Sequence, residues 1–156
     1  MKKLILLLIF IPLVSFGQIT ISDIIKVGKM DLESFEIYAL EKGFRFDNIE
    51  NEEENNLYGL TMSKVEGQRT EYLSYYQKFF GVADRAVNYQ GPVQEKLVSI
   101  YKELKSLGYE MHGMSESESN GKTYFGKEYI KNGYETIYIL ISHDDLTVEI
   151  NYQYFL

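Results

Sequence analysis

Residues 91–155 read GPVQEKLVSIYKELKSLGYEMHGMSESESNGKTYFGKEYIKNGYETIYILISHDDLTVEINYQYF, and this stretch decides the fold. Val93, Leu97, Ile100, Leu104 and Leu107 recur at intervals of four and three. That spacing lays one apolar stripe along a helix. Gln94, Glu95, Lys96, Ser99, Lys102, Glu103 and Lys105 fill the opposite face. Gly91-Pro92 is expected to end whatever comes before, with Pro92 in the first helical turn, where a missing N–H costs nothing. Gly108 is expected to close the helix, because glycine takes left-handed dihedrals without a Cβ penalty. Strands are expected next, over Tyr109–Ser115, Thr123–Lys131, Tyr134–His143 and Leu146–Phe155. The breaks between them, Ser119-Asn120-Gly121, Asn132-Gly133 and Asp144-Asp145, are turn chemistry.

The preceding residues repeat the plan. Asp31 is a helix N-cap by residue type. Leu32, Phe35 and Ala39 mark an apolar helix face, and Gly43 closes it. Strands are expected over Phe44–Ile49, Leu57–Val65, Thr70–Phe80 and Arg85–Gln90, with Glu50 to Asn56 as a polar loop. A shift of 65 aligns Leu32 with Leu97, Phe35 with Ile100, Ala39 with Leu104, Gly43 with Gly108 and Phe44 with Tyr109. Near the far end, Val87-Asn88-Tyr89-Gln90 matches Ile150-Asn151-Tyr152-Gln153 at a shift of 63. A short helix is expected over Ser22–Val27, ahead of the first unit. The expectation is an α+β domain over 18–156, built as a tandem repeat of two α-β4 units, 22–90 and 91–156. Tight turns make its strands antiparallel, and the helices pack on one face of the sheet.

Outward from this body, Lys2 and Lys3 precede an apolar run from Leu4 to Val14, and Ser15-Phe16-Gly17 places small residues before Gln18. That is the layout of a cleavable signal peptide over 1–17. The run is about half of the roughly twenty residues a bilayer crossing needs. The expected compartment is therefore the periplasm or the extracellular space, probing toward a Gram-negative source. With no cysteine in the chain, a lipoprotein anchor, disulfides and thiolate chemistry are all excluded. Removing Lys2 and Lys3 takes the formal charge from −7 to −9. Such a surface argues against nucleic acid and anionic membranes, and suits a basic partner.

The chain carries 14 Tyr and 9 Phe with no Trp, and the placement of the tyrosines matters more than their number. Alternation along a strand sends Ile137, Ile139 and Ile141 to one face, and Tyr134, Thr136, Tyr138 and Leu140 to the other. It likewise separates Leu73, Tyr75 and Phe79 from Tyr72, Ser74, Tyr76 and Lys78. The expected outer face thus presents Tyr72, Tyr76, Tyr134 and Tyr138. Tyrosine brings rigid area and a hydrogen-bonding tip, which suits partner binding. Solvated strands also carry tyrosine for stability alone.

Signals for chemistry are weak. His112 and His143 are the only histidines, both expected at or near strand ends, and neither has metal-ligand spacing. His143-Asp144-Asp145 reads as a turn. Glu50, Glu52, Glu53 and Glu54 lack the alternation and glycine of a calcium loop. Ser115 lacks the second glycine of a nucleophile elbow. No phosphate-cradling glycine pattern occurs. No catalytic residue, cofactor or metal is expected. The leading expectation is an exported, non-enzymatic binding protein of the cell envelope that contacts a protein partner through its Tyr-rich open sheet face, such as an inhibitor of a basic enzyme. The alternatives are a binder of a lipid or glycan, and a structural envelope protein. Helices on one side of an exposed sheet make a layout similar to that of exported inhibitor proteins of the beta-lactamase-inhibitor kind, a likeness of layout that implies no function by itself.

Overall fold

The computed structural model describes residues 19–52, 57–79, 83–92, 96–119, 121–142 and 147–155. The signal-peptide reading, the His143-Asp144-Asp145 turn and the first residues of the expected third helix, Val93 to Glu95, lie outside them. Three helices and eight strands follow in order: α1 (Ile21–Gly28), α2 (Leu32–Glu41), β1 (Arg45–Glu52), β2 (Leu57–Glu66), β3 (Arg69–Phe79), β4 (Ala83–Pro92), α3 (Leu97–Ser106), β5 (Glu110–Ser119), β6 (Lys122–Lys131), β7 (Glu135–Ser142) and β8 (Thr147–Tyr154).

The strands form one antiparallel sheet in the order β1-β2-β3-β4-β8-β7-β6-β5. The order reads the same from either edge once each strand is exchanged for the one four places along. The register does too. Asn88 pairs with Asn151 at the centre. Thr61 pairs with Ser74 as Glu128 pairs with Tyr138, and Ser74 with Asn88 as Tyr138 with Asn151. Both edge strands shift register at the same place, between Phe46 and Asn48 in β1 and between Met111 and Gly113 in β5. The helix ends match as well. Gly43 and Gly108 both have positive φ. Phe44 donates its N–H to Ala39 as Tyr109 does to Leu104.

Local chemistry explains the helices. Thr20 and Asp23 make a reciprocal capping box on α1, and Asp31 caps α2 through Ser34 N–H. The α1 N-terminus receives a second acid from across the fold. Glu103 of α3 accepts the Ile21 and Ser22 amides at 3.0 and 2.9 Å and the Ser22 hydroxyl at 2.6 Å. A carboxylate there satisfies free N–H groups and meets the positive end of the helix dipole. This contact ties the first element of the chain to the third helix.

The core lies between helices and sheet. Ile21, Ile24 and Val27 of α1, Phe35 and Ala39 of α2, and Ile100 and Leu104 of α3 are buried against Leu60, Met62, Leu73, Tyr75, Val87, Tyr89, Ile137, Ile139, Val148, Ile150 and Tyr152. Tyr75, Tyr89 and Tyr152 are among the largest fully buried side chains. Two of their hydroxyls reach polar groups at the core margin: Tyr75 donates to the Met30 carbonyl at 2.8 Å, and Tyr89 accepts from Lys96 at 3.1 Å. Burying a large side chain contributes about 1.5–3 kcal/mol.

Several sequence expectations need correction. Pro92 is the last residue of β4, paired with Thr147, rather than part of a helix. Glu50 to Glu52 belong to β1, and Glu116 to Ser119 to β5, so both acidic stretches continue a strand. These are the two edge strands, where charge blocks pairing with another chain. His112 lies near the start of β5, at its register shift, as expected for a residue near a strand end. With eight strands and three helices among the described residues, the structure is α+β but predominantly sheet.

Candidate functional site

The face of the sheet opposite the helices is the candidate site. Its central row crosses all eight strands: Asn48, Thr61, Ser74, Asn88, Asn151, Tyr138, Glu128 and Gly113. One flanking row runs Ser63, Tyr72, Gln90, Glu149, Leu140, Gly126 and Ser115. The other runs Glu50, Gly59, Tyr76, Ala86, Gln153, Thr136 and Ile130. Strand alternation produces this division, since the neighbours of these residues point to the helix side, where those of the central strands enter the core.

Of the four expected tyrosines, three lie on this face. Tyr72 and Tyr76 occupy β3 on either side of Ser74, and Tyr138 occupies β7. They do not adjoin. β4 and β8 separate β3 from β7, a distance of about 14 Å at the usual strand spacing. Tyr134 is not on the face. Asn132 and Gly133 both take positive φ, and the Tyr134 N–H returns to the Lys131 carbonyl. Tyr134 is therefore a turn residue, 65% exposed, to which strand alternation does not apply.

Between the tyrosines lies a polar strip that the expected site omitted: Asn88, Gln90, Asn151, Gln153 and Glu149. Asn88 donates its side-chain amide to Glu149. The Asn151 side-chain oxygen is buried without a hydrogen-bond partner among the described residues. The repeated Asn-Tyr-Gln was the available signal. It sends Asn and Gln to the open face and the intervening Tyr89 and Tyr152 into the core. Thr61 and Ser74 hydroxyls bond across β2 and β3 at 2.9 Å.

Charge on this face is one-sided. Glu50, Glu128 and Glu149 hold open-face register positions, whereas Lys64, Arg85, Lys127 and Lys131 hold positions on the helix side. Open-face cations among the described side chains, Arg45 and Lys122, stand at the ends of their strands. Burial raises the Tyr138 phenol above its ordinary value, and its hydrogen bond to Glu128 adds to the effect. Burial also raises Tyr76, against the lowering effect of its bond to Ser74. Both rings are neutral hydrogen-bonding groups at physiological pH.

A depression of about 180 Å³ opens over β5, β6 and β7, lined by Gly113, Met114, Ser115, Gly126, Lys127, Glu128, Tyr138 and Leu140. It is smaller than the 300–1,000 Å³ that encloses a drug-sized ligand. His112 is exposed, with Nδ1 3.3 Å from Glu128. Among the described residues, no three His, Asp or Glu side chains converge to hold a metal, and no helix is long and apolar enough to cross a membrane. Ser115 stands on β5 opposite Gly126. Apolar side chains are exposed at both edges of the helix-bearing face: Phe46 and Ile49 on β1, Met111 and Met114 on β5.

No family model, no curated protein and no solved structure matches this chain.

Proposed function

We propose that this chain is an exported, non-enzymatic binding protein whose open sheet face docks a basic protein surface. One observation carries the reading. A continuous face places phenols on either side of an amide strip and holds carboxylates, while the cations among the sheet's described side chains hold helix-side positions or stand at strand ends. Such a face offers rigid anchors, hydrogen-bonding groups and a charge that speeds encounter with a cationic partner. A secreted basic enzyme is a partner of this kind. Export rests on the signal layout of residues 1–17.

The same reading includes duplication, with units over 22–90 and 91–156. Its support is the fixed offset of each strand pair: 65 from β1 to β5, 67 from β2 to β6, 64 from β3 to β7 and 63 from β4 to β8. The cross-strand pairings from Asn48 with Thr61 to Ser74 with Asn88 thereby have counterparts from Gly113 with Glu128 to Tyr138 with Asn151. Duplication across a shared central ladder makes a sheet wide enough for a docking face.

The test is paired affinity columns carrying the chain from Gln18 onward and its Tyr72→Ser/Tyr138→Ser variant. Envelope and secreted extract is passed over both. A basic protein retained by the first and lost from the second supports the reading. Equal retention on both columns overturns it.

A further inference from the structure

We infer that the depression over Gly113 and Gly126 is a subsite for an arginine side chain of the docked protein, an inference that rests on the open-face reading above. Gly113 and Gly126 leave two of its positions without side chains. A Cβ on Gly126 would lie 2.5 Å from the Ser115 hydroxyl and 3.3 Å from Leu140, so a side chain there would have to displace both. Glu128 and Tyr138 stand at the rim as a cross-strand pair, and Leu140 pairs with Glu149 on the next strand.

The fold itself shows what such a cradle holds. Gly59 is the counterpart of Gly126, and Tyr76 the counterpart of Leu140, at the offsets of their strands. The Tyr76 ring covers Gly59 so closely that a Cβ there would lie 2.6 Å from two ring carbons. A flat group therefore rests on the bare backbone of the first half. In the second half leucine replaces the ring, the Ser115 hydroxyl and Leu140 lie against Gly126, and the depression opens beside them toward Gly113, Glu128 and Tyr138. The group that completes it must be flat and must suit a carboxylate rim.

Guanidinium meets both demands. It is planar, it presents a fork of N–H donors to a carboxylate, and it stacks on aromatic rings. Glu128 already contacts Tyr138 and His112. A carboxylate has about four acceptor positions, so it retains capacity for a further donor. An ammonium is compact and strongly hydrated, and fills a flat cradle less well.

The probe is Nα-acetyl-arginine amide, titrated into ¹⁵N-labelled chain from Gln18 onward, with the lysine and norleucine amides as comparisons. The expected result is saturable shifts at the Gly113, Gly126 and Glu128 amides. Binding should be at least threefold weaker for the lysine amide and undetectable for norleucine. Gly113→Ala should abolish the arginine shifts, because its Cβ enters the depression while meeting only Glu128, at an ordinary 3.5 Å. Glu128→Gln should weaken binding at least fivefold, and unchanged thermal midpoints would show both variants folded. Diffuse shifts, or equal shifts with arginine and lysine, overturn the subsite. If a partner is captured equally by wild type and Gly113→Ala but lost by Tyr72→Ser/Tyr138→Ser, the subsite fails and the docking face stands. If the arginine amide binds as expected while neither column retains a protein, the docking face fails and the subsite stands.

Discussion

Asn88 and Asn151 face each other across the β4–β8 ladder, and each strand pairing on one side of them recurs on the other. Asn88 bonds Glu149, and the counterpart of Glu149 at the strand offset is Ala86, which has no carboxylate to offer Asn151. The matched pair is thus chemically unequal. The buried Asn151 oxygen, without a hydrogen-bond partner among the described residues, sits beside Tyr138, next to the strands that hold the depression. A donor from a partner that displaces its neighbours would satisfy it. Asn151→Asp should weaken partner binding less than Asn151→Leu, since only the leucine removes the acceptor. Surface plasmon resonance on the captured partner checks the ranking.

Leu140→Tyr should close the second cradle as Tyr76 closes the first. The expected outcome is loss of the arginine-amide shifts with little change in unfolding midpoint. Tyr76→Leu should open the space over Gly59 without creating arginine binding. The counterparts of Glu128 and Tyr138 there are Thr61 and Ser74, which supply neither charge nor ring, and the neighbouring carboxylate, Glu50, stands on the outer edge strand without an aromatic partner across from it. The same titration reads both variants.

Gly28→Ala should destabilise the protein although alanine favours a helix by about 1 kcal/mol. Its Cβ would lie 2.3 Å from the Tyr152 ring, a core side chain that cannot retreat to solvent. Overpacking of this kind costs about 1–3 kcal/mol, so the net sign is loss. Urea unfolding measures it, and combining the change with Tyr152→Leu should recover most of the deficit.

Glu135 supplies a pH signature. Burial raises its carboxyl, but hydrogen bonds from Lys29 and Tyr109 outweigh that and hold it below the ordinary value. A depressed folded-state value stabilises the fold at pH above the unfolded carboxyl range, and the gain disappears as pH falls through the folded value. The wild type should exceed Glu135→Gln in stability at neutral pH, and the gap should close in acid. Unfolding midpoints at several pH values read it directly.

Much of the fold was legible locally. Period-two and period-three-to-four patterns located all eight strands and three helices, because each apolar face must be buried to form the core. Pro92 misled because a fixed φ suits a strand end as well as a helix start. The acidic ends of β1 and β5 misled because Glu and Ser disfavour strands in general, yet belong on edges. The candidate face was only half legible. Alternation assigned Tyr72, Tyr76 and Tyr138 correctly, but their separation depends on the β4–β8 pairing, a long-range contact with no local signature. The amide strip was visible in the repeated Asn-Tyr-Gln once alternation is applied to it.

The measurement that tests the account most directly is a binding footprint of the retained partner on the ¹⁵N-labelled chain. Perturbed amides are expected along Ser74, Asn88, Asn151 and Tyr138, with the exposed Ile37 and Leu40 of α2 unaffected. A footprint on α2 and the exposed Phe46 and Ile49 of β1, with the open face unchanged, would contradict it.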